Sequence, residues 1–392
     1  MMEVIPDIRR RAAELLEDAI KTRRHLHSHP ELSFCEEKTS AFISQKLREI
    51  GIAHQTGIAG YGITGIIKGK GKGKTVALRA DMDALPIEES GEKACKSLQA
   101  GVMHACGHDV HMASLLGTAR ILNELSGCFN GCVKLIFQPA EELLPGGALG
   151  MIEAGVLENP PVDYIIAQHV DPTLETGKIG IRAGAYMASN DELYITVNGE
   201  GGHAALADQD KNPVFLFAEA VTALRDAVKT AAQAENPHVL SIGKVTAKGA
   251  TNVVPETLRA EGTFRTFDEQ WRAEAKKIMR TAVASATDGR AAIKIVSGYP
   301  CLVNDPSLSE IGFALARDFL GNDRVIALDK RMTAEDFARY AQEVPALFYR
   351  LGVGNREKGI TSGLHTPTFD VDEQSLATGM GLMAHLVIGA LS

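Results

Sequence analysis

Basic residues are in deficit in this chain: 41 Lys and Arg stand against 49 Asp and Glu, a formal net charge of −8. General nucleic-acid and anionic-membrane binders carry a basic surface, so neither is expected as a partner, although a local basic patch is compatible with the composition. Long apolar runs are missing as well; none approaches the roughly 20 residues that cross a bilayer. The opening stretch "MMEVIPDIRRRAAELLEDAI" reads as an amphipathic helix carrying both signs of charge, without the apolar core of a signal peptide. Cysteine is scarce. Six residues (Cys35, Cys95, Cys106, Cys128, Cys132 and Cys301) are irregularly spaced over 392 positions, which argues for reduced thiols in the cytoplasm rather than a disulfide framework. No internal repeat or low-complexity tract occurs. With 45% hydrophobic and 23% charged residues, the composition is that of an ordinary globular protein.

A chain of this length exceeds what one core usually organises, so two domains are expected. Residues 8 to 50 look helical, broken at Pro30 and stopped at Gly51. "GITGIIKGKGKGKTVALRADMDALP" offers two apolar segments around a Gly-Lys turn and predicts a hairpin. "DVHMASLLGTARILNEL" has helical periodicity, with Asp109 placed to cap it. "GCVKLIFQPAEE" and "VDYIIAQHVDP" are nearly continuous apolar runs, the mark of strands buried on both faces. Near residue 184 the texture changes. "DELYITVNGE", "HVLSIGKVTAKG", "TLRAEGTFRTF" and "AAIKIVSGYP" alternate apolar with polar residues, as in a sheet with one wet face. Helical stretches at about 212–234 and 268–287 give a β-α-β-β-α-β order, the ferredoxin-like arrangement. After Pro300 the α/β pattern returns, with "PALFYRLGVG" as a buried strand. The expected fold class is therefore α/β, one domain from 1–183 plus 299–392 with an α+β domain, 184–298, inserted in it.

Groups fit for binding metal occur at four places. "HACGHD" offers Cys106 and His108, suited to a turn before a helix. "QPAEELLPGG" offers adjacent Glu141 and Glu142, whose side chains diverge, so that one can hold metal while the other faces substrate. "AQHVDP" puts His169 at the end of a strand, and "SGLHTPTFDVD" puts His365 in a loop. Each alone has a plain reading as a cap, a solvated charge pair or a core histidine. Four such places at strand or loop ends, where ligands gather in open α/β sheets, argue together for a metal site.

"LRADMDALP", "MHACGHDVHMA", "FQPAEE", "AQHVDP", "GGHAA", "TNVVPE" and "LHTPTFD", in this order, resemble the M20 metallopeptidase family, most closely its amidohydrolase branch of hippurate, indole-acetyl-amino-acid and N-acyl-amino-acid hydrolases. The resemblance implies a catalytic domain of the zinc-peptidase type with a mixed sheet, an inserted lid domain that dimerises, and two divalent metal ions. Carried over motif by motif, the metal ligands are Cys106, His108, Glu142, His169 and His365, and Glu141 is the general base. His203 in "GGHAA" and Asn252 in "TNVVPE" match lid residues that bind substrate; because the developing oxyanion needs a donor besides metal, His203 is the candidate for it, and Asn252 is fit to hydrogen-bond the substrate carboxylate or the oxyanion. The metals are expected to be zinc or manganese, with cobalt or nickel compatible. The implied reaction is hydrolysis of N-acetyl- or N-benzoyl-type N-acyl-L-amino acids by a homodimer. The alternatives are a dipeptidase, an aminopeptidase or a deacetylase of a biosynthetic intermediate.

Asp83 is expected to orient a ligand or to serve a turn. His25, His27 and His29 are assigned structural or surface roles, because Pro30 ends their helix and no carboxylate cluster is evident nearby. His104 and His111 are read as packing or supporting residues, and His54, His238 and His385 have no supporting neighbours. "GKGKGK" lacks the Walker pattern and reads as a solvated turn. Two stretches depart from the branch: "LADQDKNP" follows "GGHAA" where a Pro-His pair is usual, and Leu143-Leu144-Pro145 follows the glutamates where glycines are usual. Both bear on the substrate pocket, and neither touches a proposed ligand.

Overall fold

The computed structural model describes residues 4–91, 93, 95–232 and 237–391; the first three residues of the expected N-terminal helix and positions 233 and 234 of the expected 212–234 helix lie outside them. The described chain forms two compact units. The first comprises the chain up to Gly184, Val303–Asp329, and the chain from Asp336 onward; the second is Ala185–Leu302 with Lys330–Glu335.

The first unit is built on a mixed eight-stranded sheet. Its strands lie in the order Ala53–Ile58, Gly62–Lys68, Cys132–Gln138, Thr75–Asp81, Tyr164–Glu175, Ala346–Gly354, Ile179–Ile181 and Val325–Ala327. The centre is parallel, and every residue of Thr75–Asp81 and of Ala346–Gly354 is buried. Such two-sided burial is what their unbroken apolar runs demand. Helices Ile5–Ser28, His108–Glu124 and Ser375–Ala390 pack on one another and join the same core.

The hairpin expected across the Gly-Lys link does not form. Cys132–Gln138 enters between the two segments, antiparallel to Gly62–Lys68 and parallel to Thr75–Asp81. The link is long enough to cross one intervening strand, since neighbouring strands lie only about 4.8 Å apart. It is tied to the turn that leads into the intruder: Gly69 N–H donates to the Gly131 carbonyl, Lys70 N–H to Phe129, and Gly131 N–H to Gly71. Gly62–Lys68 pairs instead with the preceding strand Ala53–Ile58.

The second unit is a four-stranded antiparallel sheet in the order His238–Ala247, Thr257–Thr266, Asp191–Asn198, Ala291–Ser297. Taken in chain order these are strands 2-3-1-4, the ferredoxin-like arrangement. Leu193, Ile195 and Val197 alternate inward and pack with helices Pro213–Ala231 and Glu269–Ser285. Both helices begin on a side-chain cap: Asn212 accepts from Val214 N–H, and Asp268 accepts from Trp271 N–H. Lys330–Glu335 joins this unit through the Ala188 N–H, which donates to the carbonyls of Arg331 and Thr333. Among the described residues no helix is long and apolar enough to cross a membrane.

Candidate metal centre and catalytic cluster

The site is assembled at the ends of Thr75–Asp81 and Cys132–Gln138, at the start of the His108–Glu124 helix, on Tyr164–Glu175 and in the loop carrying His365. That helix starts at Gly107, whose φ of +80° places it in the left-handed region. A Cβ there would come within 2.5 Å of Val170 Cγ2, so the close approach of helix and strand needs glycine. Asp109 does not cap the helix, contrary to expectation. It is fully buried, and its Oδ2 accepts from Arg23 Nε at 2.7 Å and His27 Nδ1 at 2.9 Å. The buried guanidinium draws the carboxylate away from the helix end.

Six residues singled out by sequence converge. Cys106 Sγ lies 3.4 Å from His169 Nε2 and 3.3 Å from His365 Nε2. His365 Nε2 is 3.2 Å from Glu142 Oε1, and His108 Nε2 is 3.9 Å from the same oxygen. The Glu141 carboxylate shares a 4.8 Å neighbourhood with His108 and Glu142. Glu141 is buried, whereas the His365 side chain is 50% exposed and has a left-handed backbone, φ +59°. A non-glycine residue held there stores strain of the kind concentrated at functional sites. His169 sits within its strand rather than at its end, because Tyr164–Glu175 runs on for six residues beyond it.

The imidazoles are anchored from behind. His108 donates its Nδ1 proton to the Asp83 carbonyl at 2.8 Å, and His169 donates its own to the Val170 carbonyl at 2.8 Å. His169 Nε2 is thereby left as a lone-pair donor, and His108 Nε2 becomes one when a cation displaces its proton. His108 Nε2 and Glu142 Oε1 are buried without a hydrogen-bond partner, and the Cys106 thiol has one proton for two nearby imidazole nitrogens. Buried polar atoms left in this state are costly. A divalent cation would satisfy all of them, and the sulfur, imidazole and carboxylate set has the donor chemistry that zinc and its neighbours accept.

Electrostatics follows from burial and crowding. Burial opposes charge on His108, but Asp81, Asp83 and Glu142 outweigh it and push its pKa up to about 10. Burial, then Glu142 and Glu141, push the Cys106 thiol well above its ordinary range; a bound cation is what would favour the thiolate. Burial and then Arg350 drive His169 well down. Asp81 is held far below the usual carboxylate range against its burial, first by Arg79.

Asp81 is the site residue that sequence reasoning missed. Its Oδ1 accepts from His111 Nδ1 at 2.6 Å and its Oδ2 from Arg79 at 2.6 Å, and Oδ2 lies 3.7 Å from His108 Nε2. The period-two spacing of Arg79 and Asp81 on one strand face was the available signal. His111 has both nitrogens committed, since Nδ1 bonds Asp81 and Nε2 accepts from the Val170 N–H at 2.9 Å, which suits a supporting residue. Asp83 acts as a hub, with Oδ2 accepting from Ser33 Oγ at 2.7 Å and from the Glu142 N–H at 2.9 Å.

His27 also departs from expectation, because carboxylates do gather around it. It donates to Asp109 and, from Nε2 at 3.1 Å, to Glu89. Those two bonds raise its pKa against burial, and Arg23 completes a buried structural cluster. His25 and His29 stack on each other at 4.5 Å between ring centres. In the second unit His203 and Asn252 are exposed and adjacent: His203 pairs with Val253 in a two-residue ribbon, and Ala204 N–H donates to the Asn252 carbonyl at 3.0 Å.

Comparison with known proteins places this geometry. The pattern of "Peptidase family M20/M25/M40" matches residues 77–389. Thermostable carboxypeptidase 2 of Saccharolobus solfataricus is 35% identical over 393 residues, covering 99% of this chain and 98% of that protein. The N-acyl-L-amino acid amidohydrolase of Geobacillus stearothermophilus is 40% identical over 301 residues, 76% of this chain and 81% of its own length. A crystal structure from Bacillus subtilis, described as a dinuclear metal binding peptidase from the M20 family, superposes with a TM-score of 0.83 at 33% identity. It covers 97% of this chain and 99% of that one. Matched over most of its length in sequence and fold, the chain belongs to peptidase family M20/M25/M40, in the amidohydrolase branch, and is a hydrolase of amide or peptide bonds.

Proposed function

We propose that this hydrolase cleaves the amide bond of N-acyl-L-amino acids of the N-acetyl or N-benzoyl type. The observation that carries the reading is the convergence of thiol, imidazole and carboxylate donors beside Glu141, with His108 Nε2 and Glu142 Oε1 left buried and unpartnered. Similarity to an N-acyl-L-amino acid amidohydrolase, and to an N-acetyl-L-cysteine deacetylase of Bacillus subtilis at 35% identity, supports the substrate class. Cys106, His108, Glu142, His169 and His365 would hold two divalent cations, zinc or manganese, which when bound supply Lewis acidity at the scissile carbonyl and lower the pKa of water.

The chain's own residues do the rest. Glu141 takes a proton from the attacking water onto its carboxylate and delivers it to the nitrogen of the leaving amino acid, so that no net proton is gained. Asp83 and Asp81 keep the imidazoles aimed through the bonds described above. His203 donates to the developing oxyanion, and the Asn252 amide donates to the substrate carboxylate. Both are exposed and open to substrate. Association as a homodimer through the second unit is supported by its ten-residue edge strand His238–Ala247, mostly exposed and, among the described residues, paired on one side only.

The resemblance to thermostable carboxypeptidases favours peptide cleavage as the second reading. A panel of N-acetyl and N-benzoyl amino acids set against dipeptides separates the two, and dipeptides turned over much faster would reverse the order. Glu141→Gln should lower kcat by about 10²- to 10⁴-fold, and full activity in that variant would end the mechanism.

A further inference from the structure

The segment "ELSFCEE", residues 31–37, contributes no expected ligand, yet it touches the catalytic loops at several points. Leu32 bridges to Ala84, and the Glu31 carbonyl accepts from the Ala84 N–H at 2.8 Å. Ser33 Oγ donates to Asp83, the hub that also takes the Glu142 N–H. Glu36 reaches deepest. Its side chain is fully buried, and its Oε1 accepts from two backbone N–H groups, Phe34 at 3.1 Å and Ala140 at 2.7 Å.

Those two residues share a peculiarity. Phe34 has φ +64° and Ala140 has φ +52°, so one oxygen pins two non-glycine residues in the left-handed region, which side chains adopt only at a cost. Ala140 directly precedes Glu141. The next peptide, which joins Ala140 to Glu141, is pinned too, where the Ala140 carbonyl accepts from the Gly147 N–H at 2.8 Å. Gly147 itself admits no side chain, since a Cβ would fall 1.8 Å from the Pro139 carbonyl oxygen. The turn bearing Glu141 and Glu142 is thus closed by Gly147 and latched by Glu36.

We infer that Glu36 is a positioning residue of the hydrolytic reaction, acting through the Ala140 peptide to fix the direction of the Glu141 carboxylate. This rests on Glu141 being the general base. The function asked of Glu36 is that of a hydrogen-bond acceptor, and charge is not required. Burial, with Asp83 nearby, pushes its pKa up to about 7, and either protonation state offers an oxygen lone pair to the two N–H groups. Misdirecting a catalytic group by about 1 Å is enough to cost on the order of 10²-fold in rate.

The test compares Glu36→Gln, which keeps the acceptor, with Glu36→Leu, which removes it, in the full-length metal-loaded protein. Melting temperature and metal content are measured alongside kcat and KM. Glu36→Leu should retain its metal and its KM while kcat falls roughly 10- to 100-fold, and Glu36→Gln should recover most of that loss. In a Glu141→Gln background, Glu36→Leu should cost little more, because the group it directs has gone. Unchanged kcat in Glu36→Leu, or a loss confined to KM or metal content, would overturn the inference. Should Glu36→Leu fail to fold, Glu36→Asp carries the test: it keeps a carboxyl group but withdraws the oxygen, so wild-type kcat in it is equally fatal. Full turnover in Glu141→Gln would remove the base itself, whereas an inactive Glu141→Gln beside an unaffected Glu36→Leu would sink only the positioning role.

Discussion

Two buried polar clusters in this molecule have opposite characters. In the second unit Asp191 lies fully buried, its two oxygens bound by Arg272 at 2.8 and 2.9 Å and one of them by Lys276 at 2.8 Å. Every charge there meets a fixed partner. In the first unit the cluster around Cys106 is also buried, but His108 Nε2 and Glu142 Oε1 have no hydrogen-bond partner, and carboxylates crowd a thiol. The difference separates a structural ion pair from a reactive site. The first satisfies its own polar groups, while the second holds them poised for something the chain does not itself supply.

The contrast can be broken from either side. The largest effect belongs to the satisfied cluster. Arg272→Met leaves the Asp191 carboxylate buried without its main partner and should destabilise the protein by about 3–5 kcal/mol, read as a lower midpoint in urea unfolding; a shift below about 1 kcal/mol would show the pair to be dispensable. Glu142→Gln should behave in the opposite way. Removing a charge from a crowded site should leave the metal-free protein as stable as before or more so, while affinity for zinc or manganese, followed by competition with a chelator, falls at least about tenfold. A metal-free variant that melts much earlier would place Glu142 among the structural groups instead.

The third and smallest effect concerns the cluster at His27, which lies between these extremes. Burial opposes ionisation of Glu89, but the His27 bond, the Ser97 N–H at 2.7 Å and Lys93 hold its pKa down to about 2. A carboxylate whose folded pKa lies below its unfolded value of about 4.3 stabilises the fold above that value and loses the contribution as pH falls toward 2. The unfolded chain binds the extra proton there, so stability must rise with pH across this window. Glu89→Gln should therefore flatten the acid limb of the stability profile between about pH 4.3 and 2. An unchanged slope would assign acid sensitivity to other groups, Asp109 first.

Much of this arrangement was legible in the sequence because chemistry restricts residue type. Thiol, imidazole and carboxylate groups at strand and loop ends have few substitutes, so Cys106, His108, Glu141, Glu142, His169 and His365 stood out before any fold was known. Continuous apolar runs betrayed the buried parallel strands, and strict alternation in "DELYITVNGE" betrayed a sheet with one wet face. Asp109 was different. A carboxylate in the first turn of a helix reads locally as a cap, and only Arg23, 86 residues away, turns it inward. Asp81 and Glu36 escaped notice for the same reason, since each owes its role to a partner that local spacing does not reveal.

By itself the sequence determined which segments become strands and helices, which groups are chemically fit to grip a cation, and the family to which the chain belongs. These follow from periodicity, composition and residue chemistry, all of them local. Only the tertiary structure decided that Cys132–Gln138 enters between two strands that sequence alone would pair, that both nitrogens of His111 are taken up by Asp81 and the Val170 N–H, and that a glutamate near the N-terminus accepts from the turn bearing Glu141. Strand order and hydrogen-bond partners are settled by competition among distant groups for the same space and the same protons, a competition that no stretch of chain encodes alone.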